Sequence, residues 1–236
     1  MCKENYCEKK TKKGADEKLL SYTKYVLRDD IDKLKGKWNL KFRNDNPIHV
    51  EFGTGKGKFI TTLAKQNPDI NYIAMELKEE VLLKAVEKAD ASNLNNILFL
   101  WGDVSNILDY FEAKELSRIY INFCDPWPKN RWSKRRLTHS GFLEMYNRVL
   151  EDDGEIHFKT DNEKLFEFSL NEIAANNWLL KNISLDLGNS EYENNVTTEY
   201  EDKFMSQGMR IFRCEAKNVT SNMFISLIVE IYFNLY

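Results

Sequence analysis

The sequence contains few cysteines and few histidines. Its four cysteines form no CxxC pair, and its three histidines lie far from them along the chain. Zinc sites and the disulfide frameworks of small proteins need closely spaced ligands or a high cysteine content, so this scarcity argues against both. At 236 residues the chain can bury a full hydrophobic core without such cross-links. We therefore expect no metal site.

An excess of one charge is also lacking. The chain has 34 Lys and Arg residues against 37 Asp and Glu residues, which gives a net charge of -3. A balance this close does not identify a nucleic-acid-binding protein from its bulk charge. Any surface that binds nucleic acid must therefore be local.

Long apolar runs are missing as well. The N-terminus is positively charged but has no apolar segment of the kind found in secretory signals. The apolar C-terminal stretch, residues 223–236, is interrupted by Glu230 and is too short to span a bilayer. We expect a cytoplasmic protein that does not enter a membrane. Its predicted parts are a flexible basic arm at 1–16, one domain at 17–217 and a tail of unknown role at 218–236.

Short apolar runs alternate with helical patterns along the middle of the chain. Alternation at this spacing is typical of right-handed βαβ units and a parallel sheet. The sequence therefore predicts an α/β protein with a doubly wound, seven-stranded, mostly parallel sheet. The predicted strands lie within residues 48–53, 71–77, 96–103, 118–126, 155–160, 178–187 and 209–216, and the predicted helices within 15–27, 57–66, 78–91 and 138–150.

A glycine-rich turn follows the first of these strands. Residues 51–57 read EFGTGKG and lead directly into a helical pattern. Gly53 and Gly55 permit a tight turn and close approach of a ligand to the backbone, and the helix start offers free N–H groups. The spacing is GxGxG, with an acidic residue two places before the first glycine. This favours S-adenosylmethionine over a dinucleotide, although a purely structural turn remains an alternative.

Acidic residues recur where consecutive strands end. Glu51 precedes the glycine turn, Glu76 ends the second strand and Asp103 ends the third. Doubly wound sheets bind ligands at this edge, where a carboxylate such as Glu76 can accept both hydroxyls of a ribose. Each acid alone could be a solvated loop residue. Together with the glycine turn, the three acids predict a pocket for an adenosyl group.

The fourth strand leads into a stiff loop and then a basic run. Pro126 and Pro128 restrict the backbone on either side of Trp127 and so hold Asp125 in place before a substrate arrives. Five of the eight residues from 129 to 136 are basic. A solvated charge run is the ordinary interpretation. Because this run follows the predicted pocket and contains Trp132, contact with phosphates beside a stacked base is the better one.

These segments resemble a known family. The string INFCDPWPKNRWSKRRLT, together with EFGTGKGKF, HFKTDNEKLFEFSL and VTTEYEDKF, is similar in order and spacing to the bacterial tRNA (guanine-N7)-methyltransferases, over about residues 18–214. The resemblance implies a class I methyltransferase fold with S-adenosylmethionine as methyl donor. It also implies that tRNA is the partner and is methylated at N7 of guanosine 46 in the variable loop.

The resemblance assigns roles to particular positions. Departures from the family pattern are Cys124, Asn130 and Trp132, where the family usually has Pro, Lys and His; the cysteine is most simply a buried small residue. Donor-binding residues fall on Glu51, Glu76, Asp103 and Asp125, beside Gly53 and Gly55, with Asp125 as the catalytic residue. Contacts with RNA and guanine fall on Lys129, Arg131, Trp132, Ser133, Lys134, Arg135, Arg136, Asp161, Thr198, Glu199, Tyr200 and Glu201.

The chemistry of this reaction needs carboxylates rather than a base. N7 of guanine already carries a free lone pair, so the enzyme must supply alignment and stabilisation of the migrating positive charge. We expect Asp125 where that charge develops, and Asp161 or Glu201 as acceptor for N1–H and the 2-amino group of guanine. Structural alternatives are a helix cap formed by Asp161 and Asn162, and core packing of Tyr200.

Two other functions remain open. The DPWP loop also resembles the loop of methyltransferases that act on exocyclic amines, and a basic run would suit an RNA-binding module without activity. We expect the chain to act as a monomer or a homodimer.

Overall fold

The computed structural model describes residues 14–193 and 195–218. The predicted tail, apart from residue 218, and most of the predicted arm lie outside these residues. Within the described part of the chain, eight strands form one sheet. They are β1 (Val26–Leu27), β2 (Ile48–Phe52), β3 (Asn71–Glu76), β4 (Ile97–Trp101), β5 (Leu116–Asn122), β6 (Leu150–Thr160), β7 (Trp178–Ser184) and β8 (Phe212–Asn218).

The strand order confirms a doubly wound α/β fold. The strands run β1-β4-β3-β2-β5-β6-β8-β7 across the sheet. All neighbouring pairs are parallel except those of β8, which is antiparallel to both β6 and β7. The sheet reverses direction of growth between β2 and β5, which is the crevice where ligands of such sheets bind.

The helices cover both faces of the sheet. They are α1 (Ala15–Ser21), α2 (Trp38–Phe42), α3 (Lys58–Gln66), α4 (Glu79–Ala91), α5 (Ile107–Tyr110), α6 (Ser140–Val149), α7 (Glu163–Ala175) and α8 (Glu199–Ser206). One face carries α1, α3 and α4, whose buried residues include Leu19, Ile60 and Leu82. The other face carries α2, α5, α6 and α7, with Trp38 and Leu143 in its core.

The strand count corrects the prediction of seven. The helix expected over 15–27 ends at Ser21, and Val26 and Leu27 instead form the short edge strand β1. Val26 pairs with Phe99 of β4, and the Phe99 N–H donates to the Tyr25 carbonyl at 2.9 Å. Because apolar residues in so short a run fit either a helix end or an edge strand, the pattern alone did not separate them.

The connections after the parallel strands meet at one edge of the sheet. β2 pairs with both β3 and β5 in parallel, and β3 pairs with β4 in parallel. The carboxyl ends of these four strands therefore lie side by side. At the glycine turn, the backbone N–H groups of Gly53 and Thr54 donate to the Met75 carbonyl at 2.9 and 3.0 Å, which ties the turn to the end of β3.

Candidate active site

A cavity of about 540 Å³ opens at this edge. Segments that follow β2, β3, β4 and β5 line it, and one side chain of α8 closes its side. The structure thus brings together most of the residues that the sequence predicted for the methyl donor. The predicted residues that line the cavity are Gly53, Gly55, Glu76, Asp103, Asp125, Lys134, Arg135 and Tyr200, and Trp127 of the DPWP loop joins them.

The three glycines of the turn serve two purposes. Gly53 and Gly55 have φ angles of 72° and 59°, and no atom lies within 4 Å of where their Cβ atoms would be. Open space at these two positions leaves the backbone accessible from the cavity. Gly57 (φ 79°) faces α4, where a Cβ would lie 2.5 Å from Cβ of Ala85. This third glycine therefore allows α3 and α4 to pack closely.

Two carboxylates of the cavity are held by backbone N–H groups. Glu76 accepts hydrogen bonds from Gly55 N at 3.1 Å, Leu77 N at 2.9 Å and Lys78 N at 3.1 Å. Asp103 accepts one from Ser105 N at 2.8 Å and so caps a short 3-10 helix. Both side chains are oriented without help from a ligand.

Glu51 lies beneath the cavity rather than on its wall. Its side chain is 2% exposed and accepts hydrogen bonds from the Thr54 hydroxyl at 2.6 Å and the Asn122 amide at 2.9 Å. Burial raises the pKa of Glu51 to about 7, against the opposing effect of these hydrogen bonds. A buried carboxylate of this kind is poised to take up a positive charge near neutral pH.

The loop that carries Asp125 has an unusual backbone. Phe123 and Trp127, which flank Asp125, have φ angles of 52° and 42°. Non-glycine residues rarely adopt this region, and such strain clusters at functional sites. The Phe123 N–H donates to the Lys159 carbonyl at 2.9 Å, which ties the start of the loop to β6. The Asp125 side chain is exposed at the cavity.

Cys124 also lines the cavity, but its thiol is not activated as a nucleophile. Burial, together with the neighbouring Asp125 carboxylate, raises the pKa of Cys124 to about 12. The thiol therefore stays protonated at neutral pH, and a protonated thiol is a poor nucleophile. This geometry agrees with the interpretation of Cys124 as a packed small residue.

The basic run forms a rim of cations and aromatic rings. Residues Asn130–Arg135 form a 3-10 helix. The charged groups of Lys129 and Arg131 lie 4.9 and 5.1 Å from the ring centre of Trp132. Arg135 lies 4.9 Å from the ring centre of Trp127, and the two indoles meet edge to face at 5.9 Å. Exposed on this rim are Lys129, Arg131, Lys134 and Arg135, beside half-buried Trp132 and Ser133.

Arg136 does not belong to the exposed rim, although the sequence predicted it there. Only 9% of the residue is exposed. Its Nε donates to the Pro126 carbonyl at 3.1 Å and its Nη2 to the Trp127 carbonyl at 3.0 Å. The guanidinium carbon lies 4.2 Å from the ring centre of Phe168 on α7. The charge is thus turned inward onto the loop.

The segment 198–201 is mostly structural. Thr198 and Glu201 form a capping box at the start of α8. Glu201 is fully buried, accepts from Lys159 Nζ at 2.6 Å and also accepts from Asn195. Glu199 forms an ion pair with Lys88 on α4. The expectation that Glu201 contacts guanine directly is therefore not met by its position, because both of its oxygens are engaged away from the cavity.

Tyr200 is the member of this segment that reaches the cavity. Its side chain is 57% exposed and its ring stacks on Phe123, with ring centres 6.3 Å apart and planes 24° apart. The alternative that Tyr200 belongs to the core is thus excluded. Sequence reasoning missed Phe123, whose only signal was an aromatic residue two positions before Asp125 of the DPWP loop.

Asp161 is not among the residues that line the cavity. It directly follows β6 and is half-buried. The helix cap proposed as its alternative role is made by Asn162, whose side-chain oxygen accepts from Leu165 N at 2.9 Å. The Asp161 carboxylate is therefore not required for the cap.

Comparison with known proteins identifies the family. A family model described as "Putative methyltransferase" matches residues 45–214. A protein named tRNA (guanine-N(7)-)-methyltransferase from Clostridioides difficile (strain 630) is 99% identical over 209 residues, covering 89% of this chain and 98% of that protein. Its namesake from Geobacillus sp. (strain WCH70) is 50% identical, over 88% of this chain and 94% of its own. The chain belongs to the tRNA (guanine-N7)-methyltransferase family.

Solved structures agree with the class I methyltransferase fold. The 16S rRNA methyltransferase KamB matches with a TM-score of 0.61 and 14% identity, over 78% of this chain and 94% of KamB. An S-adenosylmethionine-dependent methyltransferase from Aquifex aeolicus matches with a TM-score of 0.52 and 17% identity, over 80% of this chain and 90% of its own. At such low identity these matches support the fold alone.

Residues 14–193 and 195–218 contain no helix long and apolar enough to cross a membrane. In the same residues, no group of three or more His, Cys, Asp or Glu side chains is arranged to hold a metal ion.

Proposed function

We propose that this family member transfers the methyl group of S-adenosylmethionine to N7 of guanosine in tRNA, at position 46 of the variable loop, and forms 7-methylguanosine. The observation that carries the proposal is one cavity that joins the glycine turn, Glu76, Asp103 and Asp125 to a cationic and aromatic rim. A tRNA-modifying enzyme acts where tRNA matures, so we also propose a cytoplasmic location, as a monomer or a homodimer.

The cavity fits an adenosyl sulfonium. Glu76 lies beside Gly55 with its carboxylate already oriented, which suits the two hydroxyls of a ribose. Asp103 is exposed at the end of β4, where it can accept a hydrogen bond from the adenine amine. Glu51, which directly precedes the glycine turn and does not itself line the cavity, remains our proposed partner of the α-ammonium group. The bound donor supplies an electrophilic methyl group on a charged sulfur.

Methyl transfer needs alignment and a negative charge in this site. N7 attacks with its own lone pair, so no residue has to remove a proton first. The positive charge leaves the sulfur and appears on the guanine ring, and Asp125 is the exposed carboxylate of the strained loop at that point. A carboxylate held in place before the reaction stabilises this charge with little reorganisation.

Guanine recognition requires an aromatic surface and an acceptor. The stacked pair of Tyr200 and Phe123 offers the base a flat surface at the cavity mouth. Asp161 remains our proposed acceptor for N1–H and the 2-amino group of guanine. Adenine lacks this pair of donors, and leaving the carboxylate unpaired would disfavour it by about 1–3 kcal/mol. Thr198 and Glu201 support this arrangement by holding α8.

Contacts with the tRNA backbone fall to the exposed rim. Lys129, Arg131, Lys134 and Arg135 carry their charges beside Trp127 and Trp132. Such a surface binds phosphates while a base stacks on an indole.

The test is product analysis. Purified protein is incubated with S-adenosylmethionine and unmodified tRNA, and the digested nucleosides are separated and identified by mass. We expect 7-methylguanosine, and none from a control transcript in which guanosine 46 is replaced by adenosine. A product methylated on an exocyclic amine would overturn the proposal. Failure of well-folded protein to bind S-adenosylhomocysteine by calorimetry would favour an RNA-binding module instead.

A further inference from the structure

Arg135 and Arg136 are neighbours in the basic run, but their side chains go opposite ways. Arg135 is exposed at the cavity rim, with its guanidinium carbon over the ring of Trp127. Arg136 is buried, and two of its nitrogens donate to the carbonyls of Pro126 and Trp127. A phosphate contact needs a guanidinium with free donors on the surface. Of these two arginines, Arg135 has such a guanidinium and Arg136 does not.

The loop needs a partner of this kind. Trp127 lies between two prolines and has a φ angle of 42°, so the chain turns sharply there. The two consecutive carbonyls that Arg136 contacts belong to this turn. The flat guanidinium carries several donors in a fixed arrangement, so one side chain can bind two neighbouring carbonyls at once.

Arg136 also contacts an aromatic ring of α7. Its guanidinium stacks on Phe168 of α7, with 4.2 Å from its carbon to the ring centre. α7 follows β6 and packs in the core through Leu165 and Phe166. The loop is therefore tied through one side chain to a rigid helix of the domain.

We propose that Arg136 is a positioning residue for methyl transfer: it holds the loop that carries Asp125 and Trp127 in its reactive geometry and does not contact tRNA. The inference rests on the proposed function of this site. Loss of the two hydrogen bonds lets the loop relax, and a small displacement of a group that must be aligned with the reacting atoms is costly to the rate.

The decisive variant is Arg136→Lys. Lysine keeps the positive charge, so a phosphate contact would largely survive, but one ammonium group cannot reproduce the fork across two carbonyls or the stacking on Phe168. We expect the single-turnover rate of methyl transfer, with donor and tRNA saturating and per S-adenosylhomocysteine-binding site, to fall at least tenfold. The dissociation constant for tRNA and its salt dependence stay as in the wild type.

Two controls accompany it. Arg135→Ala is expected to reduce the slope of log affinity against log salt by about 0.7 to 0.9, as for one lost phosphate contact. Arg148→Lys, at an exposed position in the last turn of α6, keeps the wild-type rate. Counting donor-binding sites removes any effect of unfolded protein.

Two outcomes would overturn the inference. One is a wild-type rate in Arg136→Lys, even if its thermal midpoint falls, because the role would then be stability alone. The other is a loss of salt dependence in Arg136→Ala equal to that in Arg135→Ala, because Arg136 would then be a phosphate contact. Absence of 7-methylguanosine from the wild-type protein would instead refute the proposed function.

Discussion

Carboxylates at one edge of the sheet lie in two kinds of environment. Glu51 is buried and accepts hydrogen bonds from Thr54 and Asn122, whereas Asp125 is exposed at the cavity. A buried carboxylate resists ionisation until a cation arrives, whereas an exposed one can meet a substrate directly. This difference suits Glu51 to the donor's ammonium group and Asp125 to the reacting charge.

Replacing Asp125 tests its role most directly. In Asp125→Ala, we expect the methyl-transfer rate to fall by roughly 10²- to 10³-fold or more, because a preorganised charge is lost. The affinity for tRNA should stay within about twofold, since the basic rim is intact. Single-turnover assays and filter binding measure the two quantities. A retained rate would remove Asp125 from the chemistry.

Glu51 predicts a pH dependence of stability. The pKa of Glu51 is about 7 in the folded protein, above the value of about 4.3 for a free side chain. The folded state therefore holds an extra proton on Glu51 between these values, and the contribution of Glu51 to the free energy of unfolding falls by on the order of 3 to 4 kcal/mol as pH rises from about 4.5 to 7. Burial lowers the pKa of His49 to about 3, so that imidazole contributes the opposite trend over much of the same range. The measurement is therefore the difference in free energy of unfolding between the wild type and Glu51→Gln, from urea unfolding of the ligand-free proteins, and this difference should fall over that pH range.

The same residue predicts the opposite trend for donor binding. The ammonium group needs ionised Glu51, so the affinity for S-adenosylhomocysteine should rise as pH increases through about 7. Calorimetry at several pH values measures it, with Glu51→Gln as the control whose affinity is weak and independent of pH. Equal pH profiles for the two proteins would contradict the assignment.

Local patterns predicted most of the elements, but not their contacts. The parallel strands and the helices after the glycine turn and before β6 follow from apolar periodicity and chain order. The family resemblance assigns residues 198–201 to contacts with RNA and guanine, yet Thr198 and Glu201 cap α8. A capping box has a sequence signature, Thr-x-x-Glu, that could have indicated this role. Burial of Glu201 against Lys159 could not be predicted, because the partner lies on a distant strand.

Removing one partner of the Lys159–Glu201 ion pair should lower the stability of the protein strongly. Lys159→Met leaves Glu201 buried without its cation, and we expect a loss of about 3–5 kcal/mol of stability. Replacing both residues with Met should be less damaging than replacing Lys159 alone, because no unpaired charge remains. Urea unfolding of the two single variants and the double variant completes the cycle. A double variant as unstable as the sum of the singles would show that the pair is not coupled.

Gly57 should tolerate no side chain. In Gly57→Ala, the new Cβ meets Ala85 of α4 at 2.5 Å, and overpacking of this kind costs about 1–3 kcal/mol in addition to the strain of a positive φ. Gly208→Ala is the matched control, because Gly208 has a similar φ of 72° with nothing within 4 Å of its Cβ position. Equal losses in the two variants would assign the whole effect to the backbone.

The molecule as a whole is nearly neutral but carries a cationic rim beside the carboxylates at one edge of the sheet. The sequence indicated where this rim lies, because the carboxyl ends of parallel strands must meet and the basic run follows one of them. It could not separate Arg136 from its neighbours, since the direction of each side chain depends on Pro126, Trp127 and Phe168. Function at this scale depends on the placement of charge, not on its total.

The salt dependence of tRNA binding should therefore come from the rim alone. Arg131→Gln removes an exposed cation beside Trp132, and we expect the slope of log affinity against log salt to fall by about 0.7 to 0.9. Lys114→Gln removes an exposed cation, paired with Asp152, before β5 at the opposite edge of the sheet, and should leave the slope unchanged. Filter binding over a range of salt concentrations measures both variants. Equal losses of slope would mean that tRNA responds to the diffuse field of the whole protein, and the assignment of the rim as the RNA interface would fail.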